Sequence, residues 1–309
     1  MKRFIEYENT VSDEKTGLIW IKNASYSEMP LTFNEALEYI KEINKEKLFG
    51  FDDWKLPNRR EFLSIVSLES INPSININAP FYDVFNGYYW TSTTCNRTPD
   101  QAWIIHFGGA RVRGGIKNFS YMVWPVRNTG KYELDFFNTG QTNCYDDSGN
   151  IIDCRQTGQD GEFYKDLKNK SISQRIFEDE NTLKDNFTGL QWFKNGDLFN
   201  QIFTYYEAEK YIEKINSEKK YGFDDWRIPK IEEFDSIGDM GKNSPAIIKN
   251  DVFFNIRDYY WSSSSSEYNK EYSWVFYTKD GYIGVGYKKN KDFYLIPVRG
   301  EKFDRSCFY

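Results

Sequence analysis

The sequence predicts an α+β fold made of two tandem copies of one domain, each with one or two helices and a mainly antiparallel twisted sheet. Three observations predict it. Gly50-Phe51-Asp52-Asp53-Trp54-Lys55-Leu56-Pro57 returns 172 residues later as Gly222-Phe223-Asp224-Asp225-Trp226-Arg227-Ile228-Pro229, and Thr16-Gly17-Leu18, Tyr88-Tyr89-Trp90 and Pro125-Val126-Arg127 return at nearly the same offset. A period of that length marks duplicated globular domains, because solenoid repeats run to about 20–50 residues. Within each copy helical patterns come early and strand patterns late, the order of a segregated α+β domain and not of alternating βαβ units. At 309 residues and roughly 100–200 residues per domain, the chain divides into a first domain at 1–128, a connector at 129–180 and a second domain at 181–309.

The first copy opens with a strand at Phe4-Ile5-Glu6-Tyr7, a turn over Ser12–Gly17 and a strand at Leu18-Ile19-Trp20-Ile21, polar turn residues between apolar runs signalling a hairpin. Thr32-Phe33-Asn34-Glu35 fits a capping box, and Ala36, Ile40 and Ile43 then fall on one face of a helix that Gly50 can end. Thr204-Tyr205-Tyr206-Glu207 with Ala208, Ile212, Ile215 and Gly222 repeats the pattern. Asn58-Arg59-Arg60-Glu61 can cap a short second helix, while its counterpart has Lys230, a poor cap. Residues 70–87 read as loop. Strands follow at Tyr88–Ser92 and Ala102–Phe107, then a turn at Gly108-Gly109 and a last strand near Tyr121–Arg127. The connector has turn composition, with a flexible point expected at Thr157–Gly161.

Aromatic residues make up 18% of the chain, and eight of its 9 Trp pair across the copies as Trp20/Trp192, Trp54/Trp226, Trp90/Trp261 and Trp103/Trp274, with Trp124 opposite Ile296. Large side chains kept in both copies point to core packing before a ligand platform. The net charge of −6 gives no overall attraction for nucleic acid or an anionic membrane. No window approaches the ~18 consecutive apolar residues of a spanning helix, and the N-terminus lacks the apolar run of a secretion signal, so the chain as written is expected to be soluble and either cytoplasmic or already processed. Cys95, Cys144, Cys154 and Cys307 are too few for a disulfide framework. Cys144 and Cys154 nevertheless flank Gly149 symmetrically, so a hairpin turning at Ser148-Gly149-Asn150 would set them opposite each other. A bridge there implies an oxidising, periplasmic or extracellular compartment; two reduced thiols in a linker are the alternative.

Thr16-Gly17-Leu18-Ile19-Trp20, Asp53-Trp54-Lys55-Leu56-Pro57 with Glu61-Phe62, Tyr89-Trp90-Thr91-Ser92-Thr93, Ala102-Trp103 and Pro125-Val126-Arg127, in that order and spacing, resemble the domain of unknown function 1566, or Lcl C-terminal domain, family. Thr188-Gly189-Leu190, Asp225-Trp226-Arg227-Ile228-Pro229, Tyr260-Trp261-Ser262-Ser263-Ser264 and Pro297-Val298-Arg299 carry the resemblance again. The resemblance implies a C-type-lectin-like fold of the kind shared with formylglycine-generating enzymes, and a bacterial exported or surface protein. For the collagen-like adhesin that gives the family its name it implies binding of sulfated polysaccharide. This chain lacks a collagen-like region and is acidic overall.

Chemistry is sparse. Asp52-Asp53 and Asp224-Asp225 suit a hard cation as paired carboxylates, but a cation needs about six oxygens and the neighbours are aromatic, aliphatic or basic. A structural motif is the favoured reading: Asp53 and Asp225 fix a turn, Trp54 and Trp226 pack, Pro57 and Pro229 start the next element, and Arg127 and Arg299 pair with a carboxylate of their own domain, the motif aspartate being one candidate. Ligand contacts are expected where the copies differ, at Arg97, Arg111, Arg113 and Lys117 in the first and at Lys288, Lys289 and Lys291 in the second; solvated surface turns account for the same residues. The only histidine, His106, lies in an apolar strand pattern, which leaves nucleophilic arrays and His-rich zinc sites without material. Arg113-Gly114-Gly115 is similar to a segment of formylglycine-generating enzymes, but their copper-binding cysteine pair has no match. The expected function is a non-catalytic, cofactor-free binding protein for carbohydrate or another surface polymer, adhesin-like. A structural component of the cell surface that binds other proteins is the alternative, and a formylglycine-generating-like enzyme the remote one.

Overall fold

The computed structural model describes residues 2–130, 137–164, 175–248 and 252–301; Cys307 and parts of the connector lie outside them. The chain forms two compact units, residues 1–168 and 169–305. Among the described residues the architecture is α+β with antiparallel strand pairing in every sheet.

In the first unit β1 (Phe4–Glu6), β2 (Thr10–Asp13) and β3 (Leu18–Ile21) form a meander, and β3 also pairs with β7 (Val126–Asn128), so the end of the domain closes against its start. The expected turn over Ser12–Gly17 is corrected: Thr10–Asp13 is a strand with all four residues buried, and the turn begins at Glu14. Hydropathy hides this strand because Val11 is its one apolar residue. Its buried Asp13 is made tolerable by Arg3, whose Nε and Nη2 donate to the two carboxylate oxygens at 3.0 and 2.8 Å.

Helix α1 (Phe33–Lys45) carries the expected capping box, Glu35 N–H donating to Thr32 Oγ1 and Thr32 N–H to Glu35 Oε2, and buries Phe33, Ala36, Leu37, Ile40 and Ile43. It ends at Lys45, before Gly50; Lys47 stands in the left-handed region, and Gly50 instead closes a 3-10 turn at φ +85°. The short α2 (Arg59–Leu63) is capped by Asn58 and Glu61. Beyond it β4 (Tyr88–Thr94), β5 (Gln101–His106) and β6 (Arg111–Ile116) form a second antiparallel sheet. β6 was not expected, because Arg113-Gly114-Gly115 has no strand pattern. Gly115 is required where Tyr121 and Ile104 cross the strand, since a Cβ there would stand 2.8 and 2.9 Å from their side-chain carbons. The core between the sheets is aromatic: Trp20, Phe62, Tyr89, Phe107 and Trp124 interlock at centroid distances of 5.1 to 5.9 Å.

The described part of the connector folds as part of this unit. β8 (Cys144–Tyr145) and β9 (Ile151–Ile152) make a hairpin, and α3 (Asp160–Tyr164) follows. Cys144 and Cys154 are disulfide-bonded, with Cα atoms 5.2 Å apart, though Cys144 pairs in register with Ile152 and not with Cys154. Thr157–Gly161, expected to be flexible, is packed: Gln159 and Asp160 are buried, and Gly158 N–H donates to Glu162 at 2.8 Å.

The second unit repeats the first. β10 (Ile176–Glu178), β11 (Thr182–Asp185), β12 (Gln191–Phe193) and β16 (Val298–Arg299) form one sheet; β13 (Tyr259–Ser265), β14 (Tyr272–Tyr277) and β15 (Tyr282–Tyr287) form another. Helix α4 (Tyr205–Ser217) is boxed by Thr204 and Glu207, and α5 (Ile231–Ile237) forms with Lys230 at its cap. A boundary at 180/181 cuts this domain, since β10 precedes it and Arg175 already pairs with Asp185 at 2.6 Å. The eight paired Trp are all buried, as expected.

Candidate binding surfaces

The duplicated motif builds a joint. Trp54 is 2% exposed; its backbone is clasped by Asn44, whose side chain accepts from Trp54 N–H and donates to Trp54 C=O, both at 2.7 Å, and its indole N–H donates to Leu48 C=O. Asn216 holds Trp226 identically. Neither asparagine was picked out from sequence, although both recur at the 172-residue offset. Pro57 and Pro229 carbonyls accept from Ser92 and Ser263 on the neighbouring strands. Arg127 donates to Asp53 from Nε and Nη2 at 2.6 and 2.9 Å and lies over Phe51. Arg299 reaches Asp225 at 2.6 Å and Gln191 at 2.6 Å over Phe223. Asp52 and Asp224 face Lys47 and Lys219 at 3.5 and 3.7 Å. Among the described residues no three His, Cys, Asp or Glu side chains gather as metal ligands.

The basic candidates separate into different environments. Arg97, Arg111 and Arg113 are exposed. Arg111 stands opposite His106, and His106 opposite Tyr88, so the three form one row across β6, β5 and β4. The Arg113 guanidinium lies 4.4 Å from the Tyr88 ring centre, and His106 packs edge-on to the same ring at 4.6 Å. Burial and the two arginines hold the His106 pKa below its ordinary value. Lys117 leaves the expected surface patch: it is 1% exposed, its Nζ donates to the Tyr145 and Asp146 carbonyls at 3.0 and 3.1 Å, and burial lowers its pKa to about 8. It pins the disulfide hairpin to the domain. Its equivalent Lys288 is half-buried, bonded to Ser265 and set over Tyr205, while Lys289 and Lys291 make surface pairs with Glu271 and Glu207.

Where the connector meets the first domain lies a buried polar network invisible in the sequence. Asp160 accepts from Thr139 Oγ1 at 2.6 Å, Thr93 Oγ1 at 2.7 Å and Asn58 Nδ2 at 3.3 Å, while Gln141 bonds both backbone groups of Thr94. Burial raises the Asp160 pKa to about 6 against those hydrogen bonds.

A hollow of about 370 Å³ opens between the loop after β3 and the outer face of α1, lined by Asn23, Tyr26, Ser27, Glu28, Tyr39, Ile43, Glu46 and Leu48. Its size suits a small ligand. The Tyr39 hydroxyl is buried there without a hydrogen-bond partner. The copies are expected to part company in their late loops; this hollow is early in the chain, and no spacing rule links residues 23–28 to positions 39 and 46.

The Lcl C-terminal domain family model matches the chain twice, over residues 9–127 and 181–299. No curated protein matches it.

Proposed function

The chain belongs to the Lcl C-terminal domain family, in two copies, and from that premise we propose that it is a non-catalytic binding protein of the bacterial surface or periplasm, holding an anionic carbohydrate or similar surface polymer on the β4–β6 face of its first copy. The observation that carries this reading is the row of Tyr88, His106 and Arg111 with exposed Arg113 over Tyr88. Guanidinium groups recognise carboxylate or sulfate bidentately, and an aromatic face beside them offers a sugar ring a platform. The Cys144–Cys154 bridge supports an oxidising compartment. Against catalysis stand the packing of His106 on Tyr88 and the pairing of Asp13, Asp53 and Glu61 with Arg3, Arg127 and Lys55.

A glycan array that includes sulfated polysaccharides tests the reading. Binding is expected at low salt, weakening as salt screens the arginines, and the Arg111→Ala/Arg113→Ala variant is expected to lose it at least tenfold with its melting unchanged. No binding at low salt would overturn the proposal in favour of a protein-binding surface component. Turnover in a copper-dependent cysteine-peptide oxidation would overturn its non-catalytic part.

A further inference from the structure

The two copies share one scaffold but treat the hollow against the helix differently. In the second copy the loop fills it: Phe199 packs on Tyr211 at 5.3 Å and on Phe203 at 5.7 Å, and Gln201 Nε2 donates to the Tyr211 hydroxyl at 2.7 Å. Lys214 completes the arrangement, 3.9 Å from the Glu218 carboxylate and 6.0 Å from the Tyr211 ring centre. An apolar ring, a hydrogen-bond donor and an ammonium thus come from the chain itself. At the 172-residue offset the first copy has Ser27 for Phe199, Met29 for Gln201 and Glu42 for Lys214, while Tyr39 and Glu46 keep the places of Tyr211 and Glu218. All three fillers are gone; of what they touched, the tyrosine and the glutamate remain, while Phe203 is replaced by Leu31. The Tyr39 hydroxyl is left buried and unbonded, and Glu28 adds a second carboxylate where the other copy has Asn200.

We propose that this hollow in the first copy binds a free-amine sugar unit, its ammonium between Glu28 and Glu46, its ring in the space that Phe199 fills in the second copy, and a ring hydroxyl or the amine donating to Tyr39. A carboxylate pair favours a cation over a neutral amide. Asn23, Ser27 and the edge of Tyr26, which rests on Phe49 at 5.4 Å, supply the polar and aromatic contacts that a ring with hydroxyls needs and an extended lysine side chain does not. This site is separate from the Arg111 and Arg113 face and prefers the opposite charge, so either can fail alone.

The test is titration of the full chain with glucosamine oligomers, followed by calorimetry and by the NMR signals of Tyr39 and Tyr26. Binding of the free-amine oligomer is expected, at least tenfold weaker for the N-acetylated oligomer, for Glu28→Gln/Glu46→Gln and for Tyr39→Phe, and unchanged for Arg111→Ala/Arg113→Ala. Ser27→Phe/Met29→Gln/Glu42→Lys, which rebuilds the second copy's filling without cutting into the core, is expected to abolish binding while melting no lower than the parent. No binding by the parent chain, equal affinity for the N-acetylated oligomer or for a lysine peptide, or full binding by the filled variant would overturn the proposal.

Discussion

Asp13 and Asp53 each take two hydrogen bonds from an arginine, but the Asp13 side chain is fully buried while that of Asp53 is 48% exposed. Water supports a carboxylate that loses its partner only where water can reach it. Arg3→Met is therefore expected to cost on the order of 3–5 kcal/mol in urea unfolding, and Arg127→Met about 1 kcal/mol. Only the second pairing was open to sequence reading, because Asp53 stands in a loud repeated motif and Arg3 in a quiet one. Asp160 is a different case, a buried carboxyl with hydroxyl donors and no cation in its first contacts. Its folded pKa of about 6 lies above the ordinary 3.8, so the folded chain holds a proton that the unfolded chain releases between those values. Its contribution is fully present below pH 3.8 and is lost as pH rises through 6. The stability of Asp160→Asn relative to the parent is expected to rise by up to about 3 kcal/mol between pH 4 and pH 7, measured by denaturation across that range; a pH-independent difference would contradict it.

Helices α2 and α5 begin with the same backbone geometry, φ −74° and ψ 171° at Asn58, φ −71° and ψ 159° at Lys230. Both also have an N-terminal amide bonded to a strand hydroxyl, Arg59 to Thr93 and Ile231 to Ser264. Only Asn58 accepts from its own helix; an ammonium has no lone pair to offer. α5 forms regardless because Ile231, Phe234 and Ile237 are buried, tertiary packing outweighing a missing cap. Lys230→Asn is expected to stabilise the second unit by about 1 kcal/mol, read from its thermal midpoint. Helices were legible because their amphipathic period survives in a short window. β2 and β6 were not, because buried Ser12 and Asp13 and crossing side chains over Gly114 and Gly115 replace the alternation that marks a strand.

Duplication lets one half of the chain serve as a control for the other. Two linked sites for one ligand would give avidity, but the hollow is filled in the second copy, so titration with the amine sugar is expected to saturate at one equivalent per chain; two equivalents would contradict the inequality of the copies. The connector adds to the first copy alone a disulfide hairpin held by Lys117. Read without coordinates, the chain already disclosed its duplication, its α+β class, its aromatic core and both long helices, since each rests on identity at an offset or on periodicity between near neighbours; the Cys144–Cys154 bridge was one of two readings, and the fold chose it. Folding alone decided that Lys117 is buried, that the connector joins the first domain, that its Asp160 is buried against Asn58 and Thr93 and that residues 23–28 face Tyr39 and Glu46. Each of those depends on burial between segments far apart in the chain, and burial is set by how the elements pack.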